Sequence, residues 1–147
     1  GWPTGVLGGP DDQPAMSRIH DLARTPPISL VGDTTLTQAS AMVQRASLVI
    51  GVDTGLTHMA IAFKRPTVTL FGSNIPYTKP PTPRAKVLVH WLECSPCKAN
   101  PTCNGAFTCT ELITVDQALD AAREVLAYGA EARENGKGEP GTLESDR

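Results

Sequence analysis

Short apolar, β-branched runs alternate along the chain with stretches of helical period, and each apolar run gives way to a cluster of Gly, Asp, Thr or Pro. That alternation predicts βαβ units and a parallel sheet covered by helices. The brief run Val6-Leu7 passes through Gly8-Gly9-Pro10-Asp11-Asp12 into a helix from Pro14 to about Arg24, with Met16, Ile19, His20 and Ala23 on one stripe. Asp12 or Gln13 is placed to cap that helix, and a proline suits its first turn. Pro26-Pro27 ends it, Ile28 to Val31 reads as a second strand closed by Gly32-Asp33, and Thr34 or Thr35 starts a helix through Leu36, Ala39, Met42, Val43 and Ala46.

The third run, Leu48-Val49-Ile50-Gly51-Val52, is nearly all apolar, the pattern of a strand buried on both faces, and it is expected at the centre of the sheet. Asp53-Thr54-Gly55-Leu56-Thr57-His58 follows, then a small-residue helix from Met59 to Phe63 that Pro66 has to end. A fourth strand, Thr67 to Phe71, runs into a turn at Gly72-Ser73-Asn74-Ile75-Pro76. The stretch from Pro76 to Pro83 holds four prolines and is expected as a surface loop. A fifth strand fits Lys86 to His90, and a last helix fits Val115 to about Tyr128, with Val115, Ala118, Leu119, Ala122, Val125 and Leu126 as its apolar stripe.

Residues 1–130 therefore read as one domain with a cysteine-rich loop at 94–109, and residues 131–147, polar and rich in Gly and Glu, as a disordered tail. Neither an internal repeat nor a second domain is visible. The chain opens at Gly1-Trp2-Pro3-Thr4-Gly5 without an initiator Met and reads as a piece of something longer. Its 13 Lys and Arg are scattered among 15 acids, which argues against nucleic acid as a partner, since that binding calls for a basic face or stripe. There is no apolar run of bilayer length and no signal-peptide pattern, so a cytoplasmic setting is expected.

Open parallel sheets bind ligands beyond the carboxyl ends of their strands. Gly8 to Asp12, Gly32 to Thr35, Asp53 to His58 and Gly72 to Ile75 all fall at such ends and are expected to meet in one crevice. The Asp53 to His58 loop carries the most chemistry. It joins a buried strand to a helix through Gly55, and a helix N-terminus presents unpaired N–H donors and a partial positive charge to an anion. Phosphate is the natural ligand, with the Thr54 and Thr57 hydroxyls and His58 as further hydrogen-bonding groups. Taken singly, these residues could equally be an N-cap, a turn glycine and a half-buried histidine. There is no Walker lysine and no G-x-G-x-x-G motif.

The stretch Leu48 to Ala60 with its Asp53-Thr54-Gly55-Leu56-Thr57-His58 element, then Arg65-Pro66-Thr67-Val68 and Leu70-Phe71-Gly72 leading to Pro76, closely resembles the C-terminal half of the bacterial ADP-heptose:lipopolysaccharide heptosyltransferases, glycosyltransferase family 9. The likeness extends upstream to Gly8-Gly9-Pro10 and downstream through Cys94-Ser95-Pro96-Cys97 and the last helix, over most of residues 6–127. The resemblance implies a Rossmann-like doubly wound α/β fold, the C-terminal half of an inverting, metal-independent GT-B glycosyltransferase. It implies that Asp53, Thr54, Gly55, Leu56, Thr57 and His58 line the donor's diphosphate and sugar. It further implies that Asp11, Asp12 or Gln13 lies near the ribose and Thr34 near the base, with Gly9 also on the nucleoside side, although the family usually has a glutamate where this chain has Asp12, Gln13 and Pro14.

The implied donor is an ADP-heptose-like nucleotide sugar, and the implied acceptor is a lipid-linked saccharide of the lipopolysaccharide core, at the inner face of the bacterial inner membrane. No catalytic residue is expected here, because the family's aspartate base lies in the N-terminal domain and its phosphate-contacting lysine precedes the first strand of this half. The chain alone would then bind donor without turning it over. The alternatives are a GT-B donor domain for another nucleotide sugar, or a non-catalytic nucleotide-binding module of the same fold.

Cys94-x2-Cys97-x5-Cys103-x5-Cys109 sets four thiols in one short loop. That density suggests a structural role, as a zinc site or a pair of disulfides, with free thiols as the remaining reading. A reducing cytosol favours zinc over disulfides. No cofactor is expected to be needed for catalysis.

Overall fold

The apolar runs do form strands, and all of their pairings are parallel. The computed structural model describes residues 2–74, 82–98, 100 and 102–134. The elements run β1 (Gly5–Gly8), a 3-10 turn (Pro10–Asp12), α1 (Gln13–Leu22), β2 (Ile28–Val31), α2 (Leu36–Arg45), β3 (Val49–Val52), α3 (Gly55–Ala62), β4 (Thr67–Phe71), β5 (Ala85–Val89), α4 (Thr108–Glu111) and α5 (Val115–Glu134). This is the Rossmann-like α/β class expected, with α1 carrying the chain from β1 to its parallel neighbour β2 and α3 from β3 to β4. The chain divides into two compact units, Gly1–Met42 and Val43–Arg147.

In the first unit β1 and β2 pair in register from Gly5 opposite Ile28 to Gly8 opposite Val31. The α1 helix stops at Leu22, two residues short of expectation. The backbone at Ala23 is already extended ahead of Pro26-Pro27. Of its expected stripe Met16 is buried, whereas Ile19 remains largely exposed. The start of α2 is closed by a reciprocal cap: the Thr35 N–H donates to Gln38 Oε1 at 2.8 Å, and the Gln38 N–H donates to Thr35 Oγ1 at 3.3 Å.

In the second unit the strand order is β3-β4-β5. The centre is β4, not β3. Thr67, Val68, Thr69 and Phe71 are buried while Ile50 and Val52 of β3 are half-exposed, so the all-apolar run of β3 did not translate into burial on both faces. The end of α3 is a left-handed C-terminal turn with Lys64 at φ 54, the Arg65 N–H donating to the Ala60 carbonyl and the Lys64 N–H to the Ile61 carbonyl. Pro66, which cannot continue a helix, follows at once.

The core of this unit is small. Val68 packs with Ala121, Ala122 and Val125 of α5, flanked by Leu48, Leu70 and Leu88. The buried stripe of α5 is rotated from the expected one: Val115 is 74% exposed and Leu119 44%, and Ala121 takes the inward position. Alanines at 121 and 122 present little bulk toward β4, Val125 fills the space beside them, and Val115 and Leu119 turn outward. Thr114 and Gln117 cap α5 reciprocally, at 2.9 and 3.2 Å. The helix continues to Glu134, past Tyr128 and into the segment expected as tail, and residues 135–147 lie outside the described residues. So does most of the proline loop, residues 75–81.

Candidate functional site

At the carboxyl end of β3 the chain turns directly into a helix. Thr54 is the extended residue before α3, and the helix begins at Gly55, four residues earlier than its small-residue pattern suggested. The Thr57 and His58 N–H groups both donate to the Thr54 carbonyl at 3.1 Å. The N–H groups of Gly55 and Leu56 fall in the first turn, where helix geometry supplies no acceptor. Thr54 and Gly55 are exposed and Leu56 is half-buried at this open end.

Two of the expected site residues do different work from the rest. Thr57 is only 2% exposed, and its hydroxyl donates to the Val52 carbonyl at 2.8 Å, with the Thr54 hydroxyl 3.4 Å away. It ties the helix start back to the strand end. Gly51 makes room for this tie, because a Cβ at that position would stand 2.6 Å from Thr57 Oγ1. His58 faces outward and pairs with Asp53 across the turn, Nε2 to Oδ1 at 2.9 Å, with the two side chains 46% and 23% exposed. A carboxylate oxygen can only accept, so Nε2 is the donor in this pair.

The other oxygen of Asp53 accepts from Asn74 Nδ2 at 2.6 Å. Asn74 lies just beyond the carboxyl end of β4, so the carboxylate links two neighbouring strand ends. Asn74 belongs to a loop that the sequence placed at the sheet end but was not singled out. A short amide side chain at the strand end next to the Asp53 to His58 turn was the available signal.

The residues expected near the nucleoside lie in the first unit. The Gly9 N–H donates to Asp12 Oδ2 at 2.8 Å, and Gln13 Nε2 donates to the Val31 carbonyl at 2.6 Å. Asp12 closes the β1-to-α1 turn on itself, and Gln13 ties that turn to the end of β2. Asp11 is exposed and Thr34 half-buried. Of the four sheet-end loops, Gly8 to Asp12 and Gly32 to Thr35 therefore belong to Gly1–Met42, and Asp53 to His58 and Gly72 to Ile75 to Val43–Arg147; the last two are joined by the Asn74–Asp53 bond.

All four cysteines are free thiols, Cys94 exposed and Cys97, Cys103 and Cys109 part-buried, so the disulfide reading is not the one the structure adopts. They line one cavity of about 60 Å3 with Gly72 and Ser73. The Cys103 thiol is held below its usual pKa by backbone N–H groups, that of Phe107 foremost, with those of Gly105 and Ala106 adding to it and burial opposing. Among the described residues no group of three or more His, Cys, Asp or Glu side chains is placed to hold a metal ion. No helix among them is long and apolar enough to cross a membrane.

The sequence matches the profile of glycosyltransferase family 9 (heptosyltransferase) over residues 1–107. It is 34% identical over 77 residues to lipopolysaccharide heptosyltransferase 3 of Escherichia coli, an alignment covering 50% of this chain and 23% of that protein. The fold superposes on E. coli ADP-heptose lps heptosyltransferase II with a TM-score of 0.72 at 25% identity, covering 88% of this chain and 38% of that one. It superposes on a family 9 glycosyl transferase from Veillonella parvula with a TM-score of 0.71 at 26% identity, covering 86% and 37%. The chain thus spans well under half the length of these relatives.

Proposed function

The chain belongs to glycosyltransferase family 9, the heptosyltransferases, and on that premise we propose that it is the donor-holding part of an enzyme that transfers heptose, or a similar sugar, from an ADP-linked donor to a lipopolysaccharide core acceptor. The observation that carries this reading is the turn from β3 into α3, where an open helix N-terminus at Thr54, Gly55 and Leu56 stands beside the His58–Asp53–Asn74 hydrogen-bonded set. Helix N–H groups and the helix dipole suit a diphosphate, and they suit it better as negative charge grows on the leaving group. In the transfer itself an acceptor hydroxyl attacks the anomeric carbon, the bond from that carbon to the diphosphate oxygen breaks, and the hydroxyl proton passes to a base. The turn serves the leaving group in that step, and the base falls to residues outside this chain.

Asp53, with one oxygen accepting from His58 and the other from Asn74, acts as organiser of the turn rather than as a contact to the anion. A carboxylate aimed at a diphosphate would repel it, whereas one held by two donors keeps the imidazole and the amide in place. The setting is cytoplasmic, at the inner face of the inner membrane, where a nucleotide sugar and a lipid-linked acceptor both occur.

Calorimetric titration with ADP and an ADP-sugar, against GDP and UDP, tests the reading on the chain and on its Asp53→Ala and His58→Ala variants. ADP species are expected to bind in preference to the others and to weaken by about tenfold or more in both variants, the loss of roughly 1.4 kcal/mol each. Equal affinity for ADP in wild type and both variants would remove this turn from the donor site. A preference for UDP or GDP would move the donor to another nucleotide sugar.

A further inference from the structure

A carboxylate that meets a histidine through one oxygen alone is a loose support, because the terminal torsion of an aspartate is broad and two-fold and lets its oxygens trade places. Asp53 is tied more firmly than that. Its Oδ1 accepts from His58 Nε2 at 2.9 Å while its Oδ2 accepts from Asn74 Nδ2 at 2.6 Å. Two donors on two oxygens fix the plane of the carboxylate, and that plane sets the direction from which the imidazole meets it. Since a carboxylate oxygen only accepts, Asp53 also decides which end of the Asn74 amide faces it and which nitrogen of His58 carries the proton.

Asn74 comes to this place through a turn that other parts of the second unit hold. Val52 stands opposite Leu70 in the parallel register; Asp53 follows Val52 directly, whereas three residues separate Leu70 from Asn74. An extended chain would carry the amide about 10 Å further out than the carboxylate. The bend at Gly72 and Ser73 removes that offset. The Ser73 carbonyl accepts the Lys98 N–H at 2.8 Å and the Cys97 thiol at 3.8 Å. The α4 helix closes on Gly72, where a Cβ would stand 2.5 Å from Thr110 Oγ1. The cysteine loop and α4 thereby set the position of the turn that presents Asn74.

We infer that Asn74 is a positioning residue of the β3-to-α3 turn: by pinning Asp53 it holds the His58 ring in one orientation, with the proton of the neutral ring on Nε2. A neutral imidazole has a single N–H, and the hydrogen bonds around the ring choose the nitrogen that carries it. A ring fixed in advance has little rotational freedom left to lose when a ligand binds beside it, so pre-organisation strengthens binding without a contact from Asn74 itself. The inference deepens the reading of this turn as the donor site and rests on that reading for the binding consequence alone. Asn74 is exposed, so its replacement leaves the core untouched.

The test reads the His58 ring by heteronuclear NMR at alkaline pH, on the full chain and on its Asn74→Ala and Asn74→Asp variants. The unsubstituted chain is expected to show the ring proton on Nε2 and one χ1 rotamer. Both variants are expected to show averaged rotamers and a fraction of rings protonated on Nδ1. Aspartate keeps the shape of asparagine but cannot donate at that pH, so an Asn74→Asp ring like that of wild type would overturn the inference, as would an unmoved ring in Asn74→Ala. Calorimetry with ADP supplies the second readout. Asn74→Ala is expected to weaken ADP by about threefold or more in the wild-type background and by less than about twofold in Asp53→Ala. The same loss in both backgrounds would make Asn74 a direct contact and overturn its positioning role. If the unsubstituted chain binds no ADP, the donor reading falls, and the ring signals still decide whether Asn74 positions His58.

Discussion

At the scale of single residues the site depends on a division of labour between two neighbours in α3. Thr57 points inward and satisfies the Val52 carbonyl, while His58 points outward toward Asp53. Thr57→Val keeps the shape but leaves a buried acceptor without its donor, so it is expected to cost about 1–3 kcal/mol in urea denaturation. Gly51→Ala forces the same hydroxyl aside and should destabilise comparably. His58→Ala, at a largely exposed position, should stay within about 0.5 kcal/mol of wild type while weakening ADP binding. A stability loss at His58 as large as that at Thr57 would contradict this division. Cys103 offers a pH test: because N–H donors hold its thiol below the usual value, its alkylation in reduced protein should reach full rate at lower pH than that of a cysteine in an unstructured peptide. Site-resolved mass spectrometry across a pH series reads this directly.

At the scale of elements the cap of α2 was legible at Thr35, the one expected for α1 did not form, because Asp12 accepts from the Gly9 N–H and Gln13 donates to the Val31 carbonyl, and the packing faces were not legible. Thr35 and Thr114, each three residues before a Gln, mark the starts of α2 and α5, since a cap involves only neighbours in sequence. The inward face of α5 depends instead on what lies opposite it. A stripe of period 3.6 that includes both leucines and alanines can be turned by one position, and packing against β4 selected Ala121 and Ala122. Val125→Ala is therefore expected to cost about 1–3 kcal/mol, by loss of a buried branched side chain. Val115→Ala should change stability by less than about 0.5 kcal/mol. Chemical denaturation of the two variants decides between the two stripes: equal costs would favour the stripe read from sequence.

At the scale of the molecule the second unit is organised around β4, which alone among its described strands is paired on both edges and carries residues with no exposed surface. Hydrogen exchange should accordingly find the slowest amides of Val43–Arg147 in Val68, Thr69 and Leu70, with β3 and β5 exchanging sooner. Slower exchange in β3 would restore it to the central place that its apolar run suggested. Hydrophobicity predicted burial poorly here because Ile50 and Val52 are apolar yet half-exposed, while Thr67 and Thr69 are fully buried. Position in the strand order outweighed side-chain character.

The sequence by itself determined the α/β class, the five strands in their order along the chain, the strand-to-helix turn at Asp53 to His58 and the gathering of four cysteines in one loop. Each of these is written in neighbouring residues: period, turn glycines, caps and spacing. Tertiary structure decided which strand became central, which face of α5 turned inward, that Thr57 braces while His58 faces out, and that Asn74 completes the pair at Asp53. These are contacts between residues distant in the chain, such as the 21 positions separating Asp53 from Asn74. Only packing, which weighs every such neighbour at once, selects them.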